Sequence, residues 1–303
     1  MFDEDNISMK LLVVGHTVED HISIDGIDYV KPGGIFYTAL ALKNFVDKED
    51  KVFLNTYVQQ ENYHLFEEVF SGFDRSNLKF VERIPKVYLT LHNFKERGET
   101  YESMSQSLEV DISNLNLYDG ILINMITGFD ISLNQLKEIR KSYSGLIFMD
   151  VHTLCRGLDE NLKREFRLIP NFKEWASSVD ILQANENEIR SLSEQSEEFE
   201  IAKEILSNGV KIFIVTKGSL GARIYTVKNN EIISIFKSAL KIESKNMVGT
   251  GDVFGAVFFY NYIKTKDAVY SLNLANTAAG CAASYYDFKN FENLKEDVFS
   301  RYN

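Results

Sequence analysis

Proline, cysteine and long apolar runs are scarce in this sequence, and each scarcity argues against a class of protein. Only three prolines occur among 303 residues, so no proline-rich linker divides the chain. The two cysteines, Cys155 and Cys281, lie far apart and outside any C-x-x-C spacing. This spacing argues against a disulfide framework and against a zinc site, and we expect both thiols to be reduced.

The sequence also has no obvious means of entering or crossing a membrane. Nowhere do about 18 consecutive apolar residues occur, which is the length that a spanning helix needs. The first ten residues, MFDEDNISMK, carry three acids and no apolar run, unlike a secretory signal. We therefore expect a cytoplasmic protein without a membrane partner.

Basic residues are outnumbered by acidic ones, and the formal net charge is −11. Such a balance argues against nucleic acid and anionic membranes as partners, since both need an extended basic surface. A small anionic ligand would depend instead on helix N-termini and backbone amides, which draws attention to glycines that precede helices. With 45% hydrophobic residues, the chain is long enough and apolar enough to bury a large core.

Strand-like and helix-like segments alternate through the middle of the chain. The first strand is the apolar run Leu11 to Gly15, whose carboxyl end opens into a glycine. Repeated alternation of this kind predicts a mainly parallel central sheet with helices on both faces, a three-layer αβα sandwich. The later alternating segments are 52–57, 63–70, 120–124, 133–143, 146–150, 181–184, 199–207 and 212–216.

Three hairpins are predicted in addition to this sheet. Residues 21–30 alternate around Asp25-Gly26, and residues 87–105 alternate around the turn at 95–98. We expect these two hairpins to pair into one small sheet. The third, at 221–238, is expected at the edge of the large sheet. After Asp252 the chain is predicted to be helical to the end. We predict a single domain over 1–303.

The most informative segment is Asn246 to Asp252, which precedes an apolar helix predicted to start at about Gly251. Gly249 and Gly251 allow backbone to approach a ligand closely, and the helix amides would face an anion. Phosphoryl transfer to an alcohol needs an acceptor for the hydroxyl proton, and Asp252 would provide it. The alternative is that Asp252 only caps the helix.

This segment resembles the signature of the ribokinase-like sugar kinase family, also called the PfkB family, usually written D-T-x-G-A-G-D. Asn246 and Met247 stand at its first two positions and Thr250 stands at its alanine. Other family landmarks follow in the family's order. They are Gly15 to Asp20 as G-x-x-x-x-D, Gly33-Gly34 as the glycine pair, Asn185 to Glu188 as N-x-x-E, and Val215 to Ala222 as V-T-x-G-x-x-G-A.

The resemblance implies an ATP-dependent, magnesium-dependent kinase that transfers the γ-phosphoryl group to a hydroxyl of a sugar or sugar-containing small molecule. Asp252 would be the general base, and the amides of Gly249, Thr250 and Gly251 would hold the migrating group. The resemblance also implies a β-sheet lid over the site, formed by about 16–31 and 85–106.

Acceptor contacts are expected from Asp20, Gly33, Gly34 and Thr38. Asp20 follows the first strand, where ligands of parallel sheets bind, and its two oxygens suit vicinal hydroxyls; the alternative is a turn residue. The family often has K-G-A-N after the glycine pair, whereas this chain has Ile35 to Thr38. Phe36 and Tyr37 in that stretch are aromatic and could stack on a base, so a nucleoside stays an alternative acceptor.

Donor contacts are carried over from the same resemblance. Asn185, Thr216, Gly218, Gly221 and Asn276 would contact the nucleotide. An amide and a carboxylate three residues apart suit magnesium, so Glu188 is the expected metal residue; the alternative is a helix cap with acids in the first turn. In the family, the first aspartate of the signature helps to hold a monovalent cation. Asn246 stands in its place here, so dependence on a monovalent cation is left undecided.

Asp150 to Arg156 resembles the D-x-x-x-x-x-R stretch of some family members. Arg156 would contact a phosphate or form a structural ion pair. His152 lies near Cys155, but no oxyanion element accompanies them, so we do not expect a thiol nucleophile. A homodimer through the lid is predicted if Tyr88, Phe94 and Tyr101 are exposed.

Two alternatives to a sugar kinase stay open. One is a nucleoside kinase, and the other is a non-catalytic sugar or nucleotide sensor on the same fold, suggested by the departures at Asn246, Met247 and Thr250. A dinucleotide-dependent dehydrogenase is disfavoured because no G-x-G-x-x-G follows the first strand.

Overall fold

Apolar runs with little alternation form the strands of the large sheet because both of their faces are covered. The strand Lys10–Val14 (β1) has four consecutive buried residues, and all five residues of Gly120–Asn124 (β8) are buried. The computed structural model describes residues 8–24, 27–90, 98–102, 106–158 and 164–302.

Fifteen strands lie within these ranges. In chain order they are β1 Lys10–Val14, β2 Thr17–Ile24, β3 Ile27–Gly34, β4 Lys51–Gln59, β5 Leu78–Val81, β6 Lys86–Thr90, β7 Gly98–Glu102, β8 Gly120–Asn124, β9 Leu146–Asp150, β10 Arg156–Leu158, β11 Arg164–Phe166, β12 Ile181–Asn185, β13 Ile212–Thr216, β14 Gly221–Lys228 and β15 Glu231–Ser238.

Eight α-helices connect and cover the strands of the described chain. They are α1 Phe36–Phe45, α2 Glu67–Phe70, α3 Leu133–Ser142, α4 Phe172–Ala176, α5 Glu198–Ser207, α6 Thr250–Thr265, α7 Ala268–Ser284 and α8 Leu294–Arg301. Short 3₁₀ turns occupy Tyr63–Leu65, Leu115–Leu117, His152–Cys155, Glu188–Ser191, Gly218–Leu220 and Phe288–Asn293. In the ranges that the structure describes, no helix combines the length and apolar character needed to cross a bilayer.

The large sheet has nine strands in the order β15-β14-β13-β12-β9-β8-β1-β4-β5. Every neighbouring pair from β13 to β5 is parallel, and the β14–β15 hairpin is the antiparallel edge. Helices α1, α6, α7 and α8 pack on one face, and α3, α4 and α5 on the other. The predicted three-layer αβα sandwich is confirmed, as is the edge hairpin.

A second sheet of four strands, in the order β3-β2-β6-β7, stands beside the large one. The two predicted hairpins pair through β2 and β6, which run parallel with Glu19 opposite Lys86. The predicted small sheet is therefore confirmed. The proposed turn residues Asp25-Gly26 and the 95–97 part of the second turn lie outside the described residues.

One conditional expectation about this small sheet is wrong. Tyr101 is only 4% exposed, because its ring packs under the Arg164 guanidinium at 4.4 Å, so it offers no dimerisation surface. Tyr88 is 40% exposed, as expected, and Phe94 lies outside the described residues. The argument for a dimer through the lid therefore loses one of its three residues.

Gly34 closes β3 in a conformation that other residues adopt at a cost. Its φ is +67°, and a Cβ built there would lie 2.2 Å from the His16 carbonyl oxygen. We expect Gly34→Ala to lower the free energy of unfolding by at least about 1–3 kcal/mol, measured by chemical denaturation. Gly72→Ala is the matched control, since its Cβ would meet nothing closer than 3.6 Å. Equal stability of the two variants would contradict this account.

Candidate active site

Polar residues end four neighbouring strands of the large sheet and meet at one edge. Asn124, Asp150, Asn185 and Thr216 are the last residues of β8, β9, β12 and β13. Asn124 is paired with Asp150, and Asn185 with Thr216, so the parallel register brings them side by side. This edge is where parallel sheets bind ligands.

Asp252 reaches the same edge from the first turn of α6. The residue before this helix, Gly249, has φ +77°, and a Cβ there would lie 2.2 Å from the Tyr37 ring. Only glycine satisfies both conditions without strain. The Asn124 side-chain amide donates a hydrogen bond of 2.9 Å to Asp252 Oδ1, which fixes the carboxylate at the strand ends.

The prediction for Thr38 needs correction in its detail. Thr38 is fully buried, and its Oγ1 accepts a 2.7 Å hydrogen bond from the same Asn124 amide. It therefore supports Asp252 through Asn124. Sequence reasoning missed Asn124, although a polar residue that ends the buried run GILIN was a visible signal.

A small cavity of about 40 Å³, called the acceptor cavity below, opens on one side of Asp252. Asp20 lines it and is 7% exposed. A Cβ on Gly33 would lie 2.3 Å from the Asp20 carboxylate, so the glycine makes room for Asp20. The cavity is lined by Val18, Asp20, Gly34, Tyr37, Val87, Tyr101, Ile126, His152, Val248, Gly249 and Asp252.

A larger cavity of about 490 Å³, the donor cavity, opens on the other side of Asp252. It shares His152, Val248, Gly249 and Asp252 with the acceptor cavity. Its other lining residues are Asp150, Arg156, Gln183, Asn185, Glu188, Thr216, Gly218, Met247, Thr250 and Gly251. Asp252 therefore stands where the two cavities meet.

Two glycines leave space in the donor cavity for a ligand. A Cβ at Gly218 or Gly251 would meet no atom within 4 Å. Gly218 has φ +50°, which by itself favours glycine, whereas neither packing nor a positive φ explains Gly251. Gly251 lies in the first turn of α6, where unpaired amides favour an anion. A phosphate chain fits this arrangement.

Gly221, in contrast, is explained by backbone packing. Its φ is +122°, and a Cβ there would lie 2.0 Å from the Lys237 carbonyl oxygen of the neighbouring strand. It is absent from the lining of the donor cavity. The structure gives this predicted nucleotide residue a role in strand pairing.

Asn185 and Glu188 combine the two interpretations given above. Asn185 Oδ1 accepts hydrogen bonds from the amides of Asn187 and Glu188, at 2.9 and 3.0 Å, as a cap does. Glu188 Oε2 accepts from the Asn185 amide at 2.8 Å. Both residues also line the donor cavity, so the capping contacts hold them beside it.

Asp150 lies among other acids, and its pKa reflects them. Burial raises the pKa of Asp150 well above its ordinary value, and the charges of Glu188 and Asp252 raise it further. Gln183 Nε2 donates to Asp150 Oδ2 at 2.8 Å and to the Gly251 carbonyl at 3.0 Å, joining β12 to α6. The donor cavity therefore concentrates negative charge that a cation would relieve.

A magnesium ion would fit these acids through water. Among the described residues, no three His, Cys, Asp or Glu side chains approach closely enough to coordinate one metal directly. Magnesium usually keeps several waters and uses one or two carboxylates, and Asp150, Glu188 and Asp252 all line the donor cavity.

A mainly apolar cavity of about 110 Å³ adjoins the donor cavity through Gly218, Met247 and Thr250. Asn276 lines it, and its side-chain amide donates a 2.7 Å hydrogen bond to the Ser238 carbonyl. Nearby, Asn246 Oδ1 accepts from the Val248 amide at 3.0 Å, so the residue in place of the family's aspartate braces the loop before α6.

Cys155 has no features of a nucleophile. Burial raises the pKa of its thiol, and the Glu188 charge raises it further. Its Sγ donates to the His152 carbonyl at 2.8 Å. Arg156 lines the donor cavity, and its guanidinium lies 4.6 Å from the centre of the Phe166 ring.

Comparison with known proteins bears directly on these features. The model of the pfkB family carbohydrate kinases matches residues 152–292, which include Asp252 and every described lining residue of the donor cavity except Asp150. The predicted resemblance to the ribokinase-like (PfkB) family is therefore confirmed over this part of the chain. The matching family consists of carbohydrate kinases, which phosphorylate a hydroxyl, and the predicted phosphotransferase class is confirmed with it.

An uncharacterized sugar kinase of Archaeoglobus fulgidus is 28% identical to this chain over 182 residues. The match covers 58% of this chain and 66% of the relative, just under two thirds of its length.

Solved structures show the same fold over nearly the whole chain. Ribokinase of Thermotoga maritima has a TM-score of 0.76 at 18% identity, covering 96% of this chain and 98% of its own. Ribokinase of Arabidopsis thaliana, solved with ribose and ATP, has a TM-score of 0.75 at 16% identity, with 96% and 99% covered. A pyrophosphate-dependent kinase in the ribokinase family, complexed with a pyrophosphate analog and myo-inositol, has a TM-score of 0.71 at 15% identity, with 94% and 99% covered.

The raised pKa of Asp150 predicts a dependence of stability on pH. A carboxyl with a raised folded-state pKa stabilises fully below its ordinary value of 3.8, and this contribution is lost as pH rises through the raised value. Asp150→Asn stays neutral throughout. We expect it to exceed the wild type in unfolding free energy by about 1–2 kcal/mol at pH 8 without ligands, and to match it near pH 4.

Asp130→Asn is the matched control with the opposite sign. Burial acts to raise the pKa of Asp130, but His16 and backbone amides outweigh it and hold that pKa below the ordinary value. Its contribution is present above the ordinary value and is lost as pH falls, so Asp130→Asn should be most destabilised at high pH. An Asp150→Asn variant that is less stable than the wild type at pH 8 would contradict the assignment.

Proposed function

We propose that this protein is an ATP-dependent kinase that transfers the γ-phosphoryl group to a hydroxyl of a sugar or similar small polyol. The observation that carries the proposal is the position of Asp252 between the acceptor and donor cavities, in the first turn of α6. A carboxylate there can take a proton from an acceptor, while the neighbouring amides face the transferring group.

The proposed step is an in-line displacement. The acceptor oxygen forms a bond to the γ-phosphorus as the bond from that phosphorus to the bridging oxygen breaks, and its electron pair stays on ADP. The hydroxyl proton passes to Asp252. The Asn124 amide, 2.9 Å from Asp252 Oδ1, keeps the carboxylate oriented for this transfer.

The acceptor cavity favours a small acceptor with vicinal hydroxyls. Asp20 offers two acceptor oxygens beside Gly34, and the apolar side chains of Val18, Val87 and Ile126 complete the wall. Among the lining residues that the structure describes there is no lysine or arginine to offset the charge of a phosphorylated acceptor. An uncharged sugar or cyclitol fits best.

Asp150 and Glu188 would hold magnesium through its waters. The ion would neutralise charge on the nucleotide phosphates. Arg156 also lines this cavity and adds a positive charge from this chain. Segments 16–31 and 85–106, which contain β2, most of β3, β6 and β7, would close over the acceptor as a lid, since Asp20 and Val87 of these segments line the acceptor cavity.

A nucleotide is favoured over pyrophosphate as the donor because an apolar cavity continues from the donor cavity. Ala239, Leu240, Ile242 and Ala279 line it, and a base could occupy it whereas pyrophosphate would leave it empty. The pyrophosphate-dependent relative keeps the alternative donor worth testing.

Ala279→Phe should separate the two donors, since a phenyl ring would fill much of the 110 Å³ cavity. We expect the affinity for ADP to fall by at least about tenfold, with that for magnesium pyrophosphate unchanged, measured by isothermal titration calorimetry. Val269→Phe, at an exposed position of the same helix, is the control. Unchanged ADP affinity in Ala279→Phe would remove this cavity as the base site.

A nucleoside acceptor is favoured by one observation. A cavity of about 180 Å³ shares Tyr37 and Val248 with the acceptor cavity and is rich in aromatic side chains, including Tyr285 and Phe288. A base could stack there if the Tyr37 ring moved aside. The acceptor panel described next includes nucleosides for this reason.

The test is coupled ADP release with ATP and magnesium across free sugars, cyclitols, sugar phosphates and nucleosides. Asp252→Asn should bind ATP normally and lose about 10²–10⁴-fold in kcat, because the hydroxyl proton has no acceptor. Asp267→Asn, which removes a carboxylate that caps α7, should keep its turnover. Full activity of Asp252→Asn would exclude it as the base, and silence of the wild type with ATP bound would favour the sensor.

A further inference from the structure

His152 lies at the junction of the two cavities, yet the proposed function gives it no role. It lines both the acceptor cavity and the donor cavity, a position that it shares with Asp252 and the loop residues Val248 and Gly249. Of these four, only Asp252 and His152 have side chains that can exchange hydrogen bonds with a ligand.

The backbone of His152 is held in a costly conformation. Its φ is +34°, in a region where residues other than glycine are uncommon. Strain of this kind clusters at functional sites, because surrounding contacts must hold it in place. Here the His152 amide donates to Asp150 Oδ1 at 3.2 Å, and its carbonyl accepts from Cys155 Sγ at 2.8 Å.

The imidazole ring is oriented from within the protein. His152 Nδ1 lies 2.6 Å from Oγ1 of Thr153, and Thr153 is fully buried. A hydrogen bond to one ring nitrogen fixes the tautomer and the direction of the other. Backbone strain and a buried orienting hydroxyl are the arrangement expected of a positioned ligand contact, and neither is needed for packing of a half-buried side chain.

We propose that His152 is a further catalytic residue, whose imidazole contacts the phosphoryl group as it passes from the donor cavity to the acceptor oxygen. This inference rests on the proposed function. The bonds that form and break are unchanged, and the hydroxyl proton still goes to Asp252. Nε2, the ring nitrogen that does not face Thr153, donates a hydrogen bond to a phosphoryl oxygen. This hydrogen bond is strongest in the transition state, because negative charge then spreads over the phosphoryl oxygens.

The decisive variant is His152→Gly, which removes the ring and also relieves the backbone strain. We expect kcat to fall roughly 100-fold, with the KM for ATP little changed, as for the loss of one donor to a transition-state oxygen. Thr153→Val, which removes the partner of Nδ1, should lose about tenfold in kcat with the same KM, because the ring is less well oriented.

Two controls separate contact from structure. Asn171→Gly relieves another left-handed residue, with φ 54°, outside the lining of both cavities, and should leave kcat unchanged. In His152→Asn, the asparagine adopts a positive φ readily and its side-chain amide can still donate a hydrogen bond. This variant should therefore retain more activity than His152→Gly. A structural role would instead predict that His152→Gly, freed of strain, performs at least as well as the wild type.

A second readout is independent of the acceptor. Binding of magnesium, ADP and aluminium fluoride, which imitates the transferring group, should weaken strongly in His152→Gly, while binding of magnesium and ADP alone stays at the wild-type level. Equal affinity of the wild type and His152→Gly for the aluminium fluoride complex, together with equal kcat, would overturn the role of His152 and leave the proposed function standing. A wild-type protein that neither binds ADP nor turns over would contradict the proposed function, and the role of His152 with it.

Discussion

The crowding of three carboxylates at one edge of the sheet is the constraint on which the site depends. Asp150, Glu188 and Asp252 come from β9, from the segment after β12 and from α6, and all line one cavity. Like charges held this close oppose each other's ionisation, and the raised pKa of Asp150 records that cost. Neutral donors hold the arrangement together: Asn124 on Asp252, Gln183 on Asp150, and a backbone amide on Glu188.

A site of this kind is suited to reagents that bring positive charge with them. A nucleotide complexed with magnesium would bring a cation to Asp150 and Glu188, and its phosphates would meet the amides of the α6 N-terminus. The protein would thus bind the complex better than the bare nucleotide. The acceptor cavity lies on the other side of Asp252, and neither Asp150 nor Glu188 is among its described lining residues.

Much of this architecture could be predicted from the sequence because it depends on patterns within short segments of the chain. Alternating apolar segments indicated the three-layer sandwich, and the two hairpins indicated the small sheet. Asp20 and Asp252 were identified from short motifs, and the structure places both on the acceptor cavity. The carboxyl ends of parallel strands lie at one edge of the sheet, which is why Asn185 and Thr216, both also identified from motifs, line a cavity together with Asp252.

What the sequence did not reveal depends on long-range contacts. Asn124 meets Asp252 across 128 positions, and Gln183 meets Gly251 across 68, distances over which no local pattern operates. The glycines show the same limit. Gly33 makes room for a carboxylate, Gly221 makes room for a neighbouring strand, and Gly251 borders open space in a cavity. A sequence motif shows only that each is glycine and does not distinguish these three reasons.

Phosphorus NMR of the reaction mixture is the most direct test of the central claim, that a phosphoryl group crosses from the donor cavity to an alcohol in the acceptor cavity. The wild-type protein with ATP, magnesium and an uncharged sugar or cyclitol should give a new phosphate monoester signal that grows in step with ADP. Formation of ADP with inorganic phosphate alone, or no change in ATP that is demonstrably bound, for every alcohol offered would contradict it.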